Sequence, residues 1–313
     1  MDGSVVLEWS QAGGADQQRG LRMIEALASE ARQLPGKWEL IVCGAPEALG
    51  FPQSAAIRNA AGEDDDGFAL KILPVSAEVV ATSASFYFAL KNYGAAAAQG
   101  ELIVFADSDL QVENGWLRAM VDTFANPEVQ VAAGAVYPKC GTWYEDAVAM
   151  FWFFEPRSTG GGLRRTSHFF ANSVAFRRRV FETHPFPTLV GSNRGACALL
   201  GRQLEREGIP VWRNESARAA HPAPECGRGF LMRGISHGRD NYLAYGATRT
   251  FARFLLGICQ TFVRPLRRSA RLGVPLYEVP LGIAVGLAYW SLHLFGLAVA
   301  VLTPGLLRHR ITA

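Results

Sequence analysis

The chain has 313 residues, of which 49% are hydrophobic, so it can bury one large core and is not a disordered chain. Its 31 basic and 28 acidic residues leave a net charge of +3, which excludes nucleic acid binding through bulk charge. The five cysteines contain no CxxC pair and are odd in number, which argues against a disulfide framework or a zinc site and favours a reducing compartment. The N-terminal stretch MDGSVVLEWSQ lacks the basic and apolar parts of a secretory signal, so we expect the first domain to stay in the cytosol.

Apolar runs alternate with helical patterns from the N-terminus onward, which predicts an α/β fold with a mostly parallel sheet flanked by helices. The predicted strands of this half lie at 4–9, 38–44, 68–75, 101–109 and 129–138. The predicted helices lie at 19–34, 84–100 and 114–125, the last of them capped by Asn114. Residues 45–67 show little periodicity and include the acidic run 63–66, which we expect to be a solvated loop.

The following segment, residues 139–170, is rich in aromatic residues and glycine and is predicted to be a mobile region over a site. Residues 168–181 are predicted to pass from a strand into a helix. A helix is expected at 195–208 and a strand at 209–224.

The C-terminal part of the chain has a different character. Residues 279–303 contain no Asp, Glu, Lys or Arg and are long enough to cross a bilayer, so they predict a transmembrane helix; the alternative is a buried core helix. Aromatic residues mixed with arginines at 229–275 predict an amphipathic segment in the membrane interface, with an ordinary surface helix as the alternative for 241–262. The predicted domains are therefore 1–228, 229–275 and 276–313. The arginines at 264–271 favour a cytoplasmic position for the first domain.

The stretch LIVFADSDL places two carboxylates, Asp107 and Asp109, directly after an apolar run. Ligands bind beyond the carboxyl ends of parallel strands, and two carboxylates there can hold a divalent cation that neutralises a diphosphate. A DxD motif alone is a weak signal, because turns and helix caps contain it too.

The context of this motif resembles glycosyltransferase family 2. The similarity covers roughly residues 4–225 and lies in GAAAAQGELIVFADSDLQVENGWL, FFANSVAFRRRVF and GIPVWRNESARAAHPAP. It implies a GT-A fold, which is the fold of nucleotide-diphospho-sugar transferases, with a nucleotide-sugar donor and a divalent metal, Mn²⁺ or Mg²⁺. It also implies that Asp107 lies near the donor ribose or the metal and that Asp109 binds the metal. A histidine near the position of His221 can contact the metal or diphosphate in this family, although a structural hydrogen bond is the alternative.

The chain departs from the family where the general base is usually found. The family's acidic pair before the acceptor-side helix is replaced by Ala196 and Cys197, and Leu199 stands at the later aspartate. A thiol is a poor oxygen base, so Cys197 marks the position of the usual base rather than a convincing replacement. Arg194, just before this helix, is a candidate for holding a diphosphate or an anionic acceptor, with a surface role as the alternative.

The donor pocket departs from the family as well. The aspartate usually found after the second strand is replaced by Cys43-Gly44-Ala45, and Glu8 and Trp9 are candidates to bind the base or ribose instead. In the segment GISHGRDNYL, Arg239 or His237 is a candidate phosphate contact and Asp240 a candidate for the missing catalytic carboxylate; a polar helix start would look the same.

These features together predict a membrane-attached, metal-dependent, inverting glycosyltransferase of polysaccharide biosynthesis. Its acceptor would be a lipid-linked or cell-surface glycan, and its catalytic domain would lie on the cytoplasmic side of the inner membrane. The alternative is a catalytically degenerate GT-A domain that binds nucleotide or glycan as an assembly partner, which the loss of the acidic pair at 196–197 favours. A dinucleotide-binding fold is disfavoured because no GxGxxG follows the first strand.

Overall fold

The computed structural model describes residues 1–9, 17–76, 86–187 and 194–303. These residues form two compact units. Unit 1 consists of Met1–Val136, Ser158–Thr188 and Ala196–Ala220, and unit 2 consists of Tyr137–Arg157, Leu189–Gly195 and His221–Ala313.

Unit 1 is built on a nine-stranded sheet. Its strands are β1 (Gly3–Glu8), β2 (Trp38–Gly44), β3 (Phe68–Pro74), β4 (Leu102–Asp107), β5 (Gln111–Val112), β6 (Val131–Pro138), β7 (Leu163–Thr166), β8 (Ser173–Arg177) and β9 (Val211–His221). Their order is β3-β2-β1-β4-β8-β6-β9-β5, with β7 also paired to β9. The strands β3, β2, β1 and β4 are parallel, whereas β8 joins β4 and β6 antiparallel and β9 joins β5 and β7 antiparallel. The predicted α/β class is confirmed, and the parallel part of the sheet coincides with the N-terminal half.

The helices flank this sheet or form unit 2. They are α1 (Gln17–Arg32), α2 (Phe51–Ala61), α3 (Phe86–Ala97), α4 (Trp116–Asp122), α5 (Trp143–Phe151), α6 (Arg178–Thr183), α7 (Ala196–Arg206), α8 (Arg228–Leu272) and α9 (Val279–Leu302). Short 3₁₀ turns follow α4 at Thr123–Ala125 and precede α9 at Leu276–Glu278.

The hydrophobic pattern of the sequence explains the parallel half of the sheet. Every residue of β1 and β2 is buried, as expected for strands covered by helices on both faces. The helix α3 packs closely on these strands because Gly94 has no side chain: a Cβ there would lie 2.5 Å from the Val6 side chain and 2.7 Å from the Cys43 sulfur. Gly94 thereby lets α3 pack directly on β1 and β2.

Two segments differ from the sequence-based expectation. The helix α2 lies within residues 45–67, where periodicity is weak because only Ile57 and Ala61 are buried. The prediction that 139–170 forms a mobile region is wrong for its first part, since α5 buries five residues, Ala147 through Phe151. A capping signal was present there: the Thr142 hydroxyl accepts a hydrogen bond from the Glu145 backbone N–H at 3.2 Å.

Unit 2 is a helical assembly in which α8 and α9 pack tightly. Gly246 has φ 77° and ψ 169°, which breaks α8 into two helical parts. A Cβ at Gly238 would lie 1.9 Å from the His293 carbonyl oxygen, and one at Gly296 would lie 1.9 Å from the Ile235 carbonyl oxygen, so the two backbones are in direct contact. The stretch Leu276–Leu302 is long and apolar enough to cross a membrane by length and composition.

Candidate functional site

The acidic pair lies at the carboxyl end of β4, on the side of the sheet where the parallel strands end. The register of β1 and β4 places Glu8 opposite Asp107. The turn after β4 is closed by hydrogen bonds from the Ser108 N–H to the Glu8 carbonyl at 3.2 Å and from the Leu110 N–H to the Asp107 carbonyl at 3.3 Å. The structure therefore brings Glu8, Asp107 and Asp109 to one edge of the sheet.

Two side chains from α3 hold Asp107 in place. The Lys91 ammonium lies 2.7 Å from Asp107 Oδ1 and also donates to the Ala106 carbonyl at 3.0 Å. The Tyr87 hydroxyl contacts the two carboxylate oxygens of Asp107 at 2.9 and 3.0 Å. Lys91 is completely buried and Asp107 is 5% exposed. Asp107 is thus anchored by a cation and a hydroxyl group that the sequence analysis did not single out.

A signal for these partners exists in the sequence. Tyr87 and Lys91 are four residues apart on α3, so they point to the same side of the helix. A lysine on an otherwise apolar helix that directly precedes the acidic strand is a natural partner for a carboxylate on that strand. Recognising it would have required knowing that this side of α3 covers the end of β4.

Burial sets the electrostatics of this edge. It raises the pKa of the Asp107 carboxyl, the negative charge of Asp109 raises it further, and the Lys91 ammonium opposes both effects. Burial, together with the charge of Asp107, also raises the pKa of Tyr87 well above its usual value, so the phenol remains a neutral donor. Lys91 thus compensates the charge of Asp107. Glu8 and Asp109 are two further acidic groups at this edge.

The residues predicted to bind the nucleobase or the ribose of the donor, Glu8 and Trp9, lie at this edge. Glu8 is fully buried and Trp9 is 2% exposed. The Trp9 N–H donates to the Cys43 carbonyl at 2.8 Å, which continues the pairing of β1 with β2. Cys43 stands where the family has an aspartate, and burial raises the pKa of its thiol to about 12, so it carries no charge at neutral pH.

Cys197 lies in the first turn of α7, at the position of the family's acidic pair. Its surroundings raise the pKa of its thiol to about 12, mainly through burial, with Lys91 and Asp107 close enough to act on it electrostatically. The thiol is therefore protonated at neutral pH and cannot accept a proton from an acceptor hydroxyl. This geometry brings Cys197 close to Asp107 without making it a base.

The remaining predicted residues of the post-sheet segment belong to unit 2. Asp240 is fully buried between two arginines: Arg239 Nε donates to Asp240 Oδ1 at 2.7 Å, and Arg194 Nε lies 3.8 Å from Asp240 Oδ2. His237 Nδ1 lies 2.8 Å from the Tyr289 hydroxyl. Burial lowers the pKa of His237 well below its usual value, and the positive charge of Arg194 adds to this. The structure thus joins Arg194, Arg239 and Asp240 into one ion-pair cluster.

His221, the predicted metal ligand at the end of β9, has the environment of a structural histidine. Its Nδ1 lies 2.7 Å from the Pro222 carbonyl oxygen, and its ring packs on Phe154 with 4.8 Å between ring centroids. No three His, Cys, Asp or Glu side chains come together in a metal-binding arrangement within the part of the chain that the structure describes. Asp107 and Asp109 nevertheless supply the hard oxygen atoms that Mg²⁺ and Mn²⁺ prefer, and a diphosphate and water can complete such a coordination sphere.

Comparison with known proteins supports the fold. Residues 84–184 match the family model for glycosyl transferase family 2. No curated protein sequence matches the chain. The crystal structure of GalNAc-T7 with UDP, GalNAc and Mn²⁺ is similar with a TM-score of 0.50 and 13% identity, and the match covers 71% of this chain but only 43% of that one.

Two further structures are similar over most of the chain. S. aureus TarS in complex with UDP-GlcNAc has a TM-score of 0.49 and 10% identity, covering 96% of this chain and 92% of that one. Glucosyl-3-phosphoglycerate synthase from Mycobacterium tuberculosis in complex with phosphoglyceric acid has a TM-score of 0.48 and 13% identity, covering 88% and 81%. The predicted resemblance to glycosyltransferase family 2 is confirmed for residues 84–184, and the fold is that of GT-A glycosyltransferases.

Proposed function

We propose that this chain is a membrane-attached glycosyltransferase that moves a sugar from a nucleotide-sugar to an acceptor hydroxyl with inversion of configuration. The observation that carries the proposal is the acidic pair at the carboxyl end of β4, Asp107 and Asp109, of which Asp107 is anchored by Lys91. This pair lies inside the segment that matches the family model. The similarity to GalNAc-T7, which was crystallised with UDP and Mn²⁺, supports a nucleotide-diphosphate donor.

In this proposal each residue at the sheet edge has a separate task. Lys91 and Tyr87 fix the Asp107 carboxylate so that it can receive the donor ribose or reach the metal. Glu8 and Trp9, at the end of β1, would bind the nucleobase of the donor. Mn²⁺ or Mg²⁺, held by Asp109 and Asp107, would neutralise the charge that develops on the leaving diphosphate. For His221, predicted as a further metal ligand, the contacts with Pro222 and Phe154 favour the structural role that was its alternative.

The arginine cluster supplies the other proposed residues. Arg194 is suited to a diphosphate or an anionic acceptor and Arg239 to a donor phosphate, and Asp240 is the carboxylate within their cluster. The Asp240 carboxylate is already engaged by two arginines, which leaves it poorly placed to accept a proton from an acceptor hydroxyl. We therefore propose that catalysis depends mainly on positioning and on stabilisation of the leaving group.

The proposed acceptor is a lipid-linked or cell-surface glycan held at the membrane, as in polysaccharide biosynthesis. The apolar stretch Leu276–Leu302 supports this attachment, and the arginines that precede it favour the inner membrane with the catalytic unit on the cytoplasmic side.

A second candidate function is a degenerate domain that binds a nucleotide-sugar without transferring it. The protonated thiol of Cys197 at the position of the usual base favours this alternative.

Calorimetric titration with UDP in the presence and absence of Mn²⁺ tests the proposal. We expect binding that depends on Mn²⁺ in the wild type and falls at least about ten-fold in Asp109→Asn, since a charged metal ligand is lost. Asp66→Asn, a change in the exposed acidic loop, is the matched control and should bind like the wild type. An affinity for UDP that changes neither with Mn²⁺ nor in Asp109→Asn would refute the proposal. An assay for transfer of radiolabelled sugar from UDP- and GDP-sugars to a membrane extract then distinguishes an active glycosyltransferase from a domain that only binds the nucleotide-sugar.

A further inference from the structure

One face of α9 is covered by protein along its entire length. Its buried residues recur every three or four positions: Val279, Gly282, Gly286, Tyr289, His293, Gly296, Leu297 and Ala300. A Cβ at Gly282 would lie 2.6 Å from the Met150 side chain, and one at Gly286 would lie 2.6 Å from the Thr261 methyl group. Helices α5 and α8 therefore line α9 from its first turn to its last.

The covered face is polar at its centre. The Tyr289 hydroxyl pairs with His237 at 2.8 Å, and His293 Nε2 lies 3.1 Å from the Asn241 amide nitrogen. The buried Arg239–Asp240 ion pair belongs to the same part of α8. If Leu276–Leu302 crossed a bilayer, Tyr289 would lie near the midplane and would bring these polar and charged groups into the hydrocarbon core, where they are costly.

The second part of α8 runs beside α9 and carries arginines. A Cβ at Gly257 would lie 2.2 Å from the Trp290 ring, which places the neighbouring, exposed Arg253 at the level of the middle of α9. Further along, Arg268 donates to the Trp152 carbonyl at 2.5 Å and Arg264 to the Phe151 carbonyl at 3.5 Å. These two arginines thus bind the carboxyl end of α5, whereas Arg267 and Arg271 stay exposed. A helix with this charge distribution does not fit in hydrocarbon.

The outer sides of both helices are apolar. The exposed large apolar residues of the second part of α8 and of α9 are Phe251, Leu255, Leu256, Phe262, Val263, Leu266, Phe295, Val301 and Leu302. Exposed arginines accompany them on α8 at 249, 253, 267 and 271. An exposed apolar side accompanied by arginines is the pattern of a helix that lies in the headgroup region of an anionic leaflet.

We propose that α8 and α9 lie along one leaflet of an anionic phospholipid bilayer and do not cross it. Their apolar sides enter the acyl region, and the exposed arginines contact lipid phosphates. The inference specifies the mode of the membrane attachment in the proposed function and rests on that attachment. Both ends of α9 then stay on the same side of the membrane.

A nitroxide depth series distinguishes lying from crossing. Ala288, Phe295 and Leu302 are exposed and seven residues apart, so they lie on the same side of α9. Each is replaced by cysteine in turn, in a full-length chain whose exposed Cys226 and Cys259 are serine, and bound to vesicles of phosphatidylcholine and phosphatidylglycerol. We expect three equal, shallow depths of about 5–10 Å. Depths that change by about 10 Å from one label to the next would show a crossing helix and overturn the inference.

Vesicle binding tests the anionic partner separately. We expect Arg267→Gln and Arg271→Gln each to weaken binding to phosphatidylglycerol vesicles about five-fold and to leave binding to pure phosphatidylcholine unchanged. Arg22→Gln, an exposed position on α1, is the control. Equal binding of all variants, or no binding to either vesicle, would overturn the inference. Because titration with UDP and Mn²⁺ needs no membrane, failure of the glycosyltransferase proposal can be distinguished from failure of this one.

Discussion

The Lys91 ammonium lies 2.7 Å from Asp107 Oδ1, and neither side chain is open to solvent. A buried ion pair of this kind is costly to break, because removing one partner leaves the other charge without compensation. We expect Lys91→Met to lower the free energy of unfolding by about 3–5 kcal/mol, measured by urea denaturation. Asp107→Asn in the same background should recover part of this loss, since it removes the uncompensated charge.

Lys37→Met serves as the control for this cycle. Lys37 is exposed, so the change should alter the free energy of unfolding by less than about 0.5 kcal/mol. A loss in Lys91→Met no larger than in Lys37→Met would contradict the buried ion pair. In the proposed function this ion pair also positions the Asp107 carboxylate for the donor.

The N-terminus of α4 gives a second prediction. The Glu30 carboxylate on α1 accepts hydrogen bonds from the Gly115 and Leu117 N–H groups, each at 2.7 Å. We expect Glu30→Gln to lower the free energy of unfolding by about 1–2 kcal/mol, because it weakens two charge-assisted bonds at a helix N-terminus. Glu25→Gln, at an exposed position of α1, should have little effect. Equal thermal stability of the two variants would refute this role of Glu30.

The Glu30 contact also shows which feature of α4 the local sequence does not predict. Asn114 was expected to cap α4, but the cap position is Gly115 with φ 82°, and no side chain caps the helix locally. The carboxylate that replaces the local cap comes from 85 residues earlier in the chain. Local patterns give the approximate position of a helix end, whereas such a contact depends on how α1 and α4 pack, which no local pattern contains.

The same distinction applies to the candidate site. The carboxyl-end position of Asp107 and Asp109 follows from a buried strand that ends in acidic residues, and the structure places Glu8 beside them through the register of β1 and β4. Lys91 and Tyr87 were missed because their role depends on the packing of α3 over β4. Arg264 and Arg268 were counted among the arginines that favour a cytoplasmic position of the first domain, and the structure adds that they bind carbonyl groups at the end of α5.

The glycine contacts of unit 2 lead to a third prediction. A Cβ at Gly238 would lie 1.9 Å from the His293 carbonyl oxygen, a distance that backbone atoms cannot accommodate without moving apart. We expect Gly238→Ala to separate α8 from α9 at a cost of about 1–3 kcal/mol and to speed cleavage of unit 2 in limited proteolysis. Ala284→Ser, at an exposed position of α9, is the control and should be cleaved like the wild type. Unchanged protection in Gly238→Ala would argue against direct backbone packing.

The thiols provide the last prediction. Burial raises the pKa of both Cys43 and Cys197 to about 12, whereas Cys226 is exposed. Only the thiolate reacts with iodoacetamide, and at pH 8 about one part in ten thousand of a thiol with a pKa near 12 is ionised. We expect mass spectrometry to find the exposed Cys226 and Cys259 alkylated first, and Cys43 and Cys197 at least about a hundred-fold more slowly. Their labelling rates should rise as the pH approaches 12.

The same chemistry decides what Cys197 contributes to transfer. Because its thiol stays protonated, we expect Cys197→Ala to keep kcat within about three-fold of the wild type and to leave KM for the nucleotide-sugar unchanged. Cys43→Ala, beside the β1 edge, tests whether any change merely reflects a lost buried side chain. A loss of kcat of a hundred-fold or more in Cys197→Ala, with KM and thermal stability preserved, would instead make this thiol part of the proton transfer. It would also require that donor binding lower the pKa of the thiol.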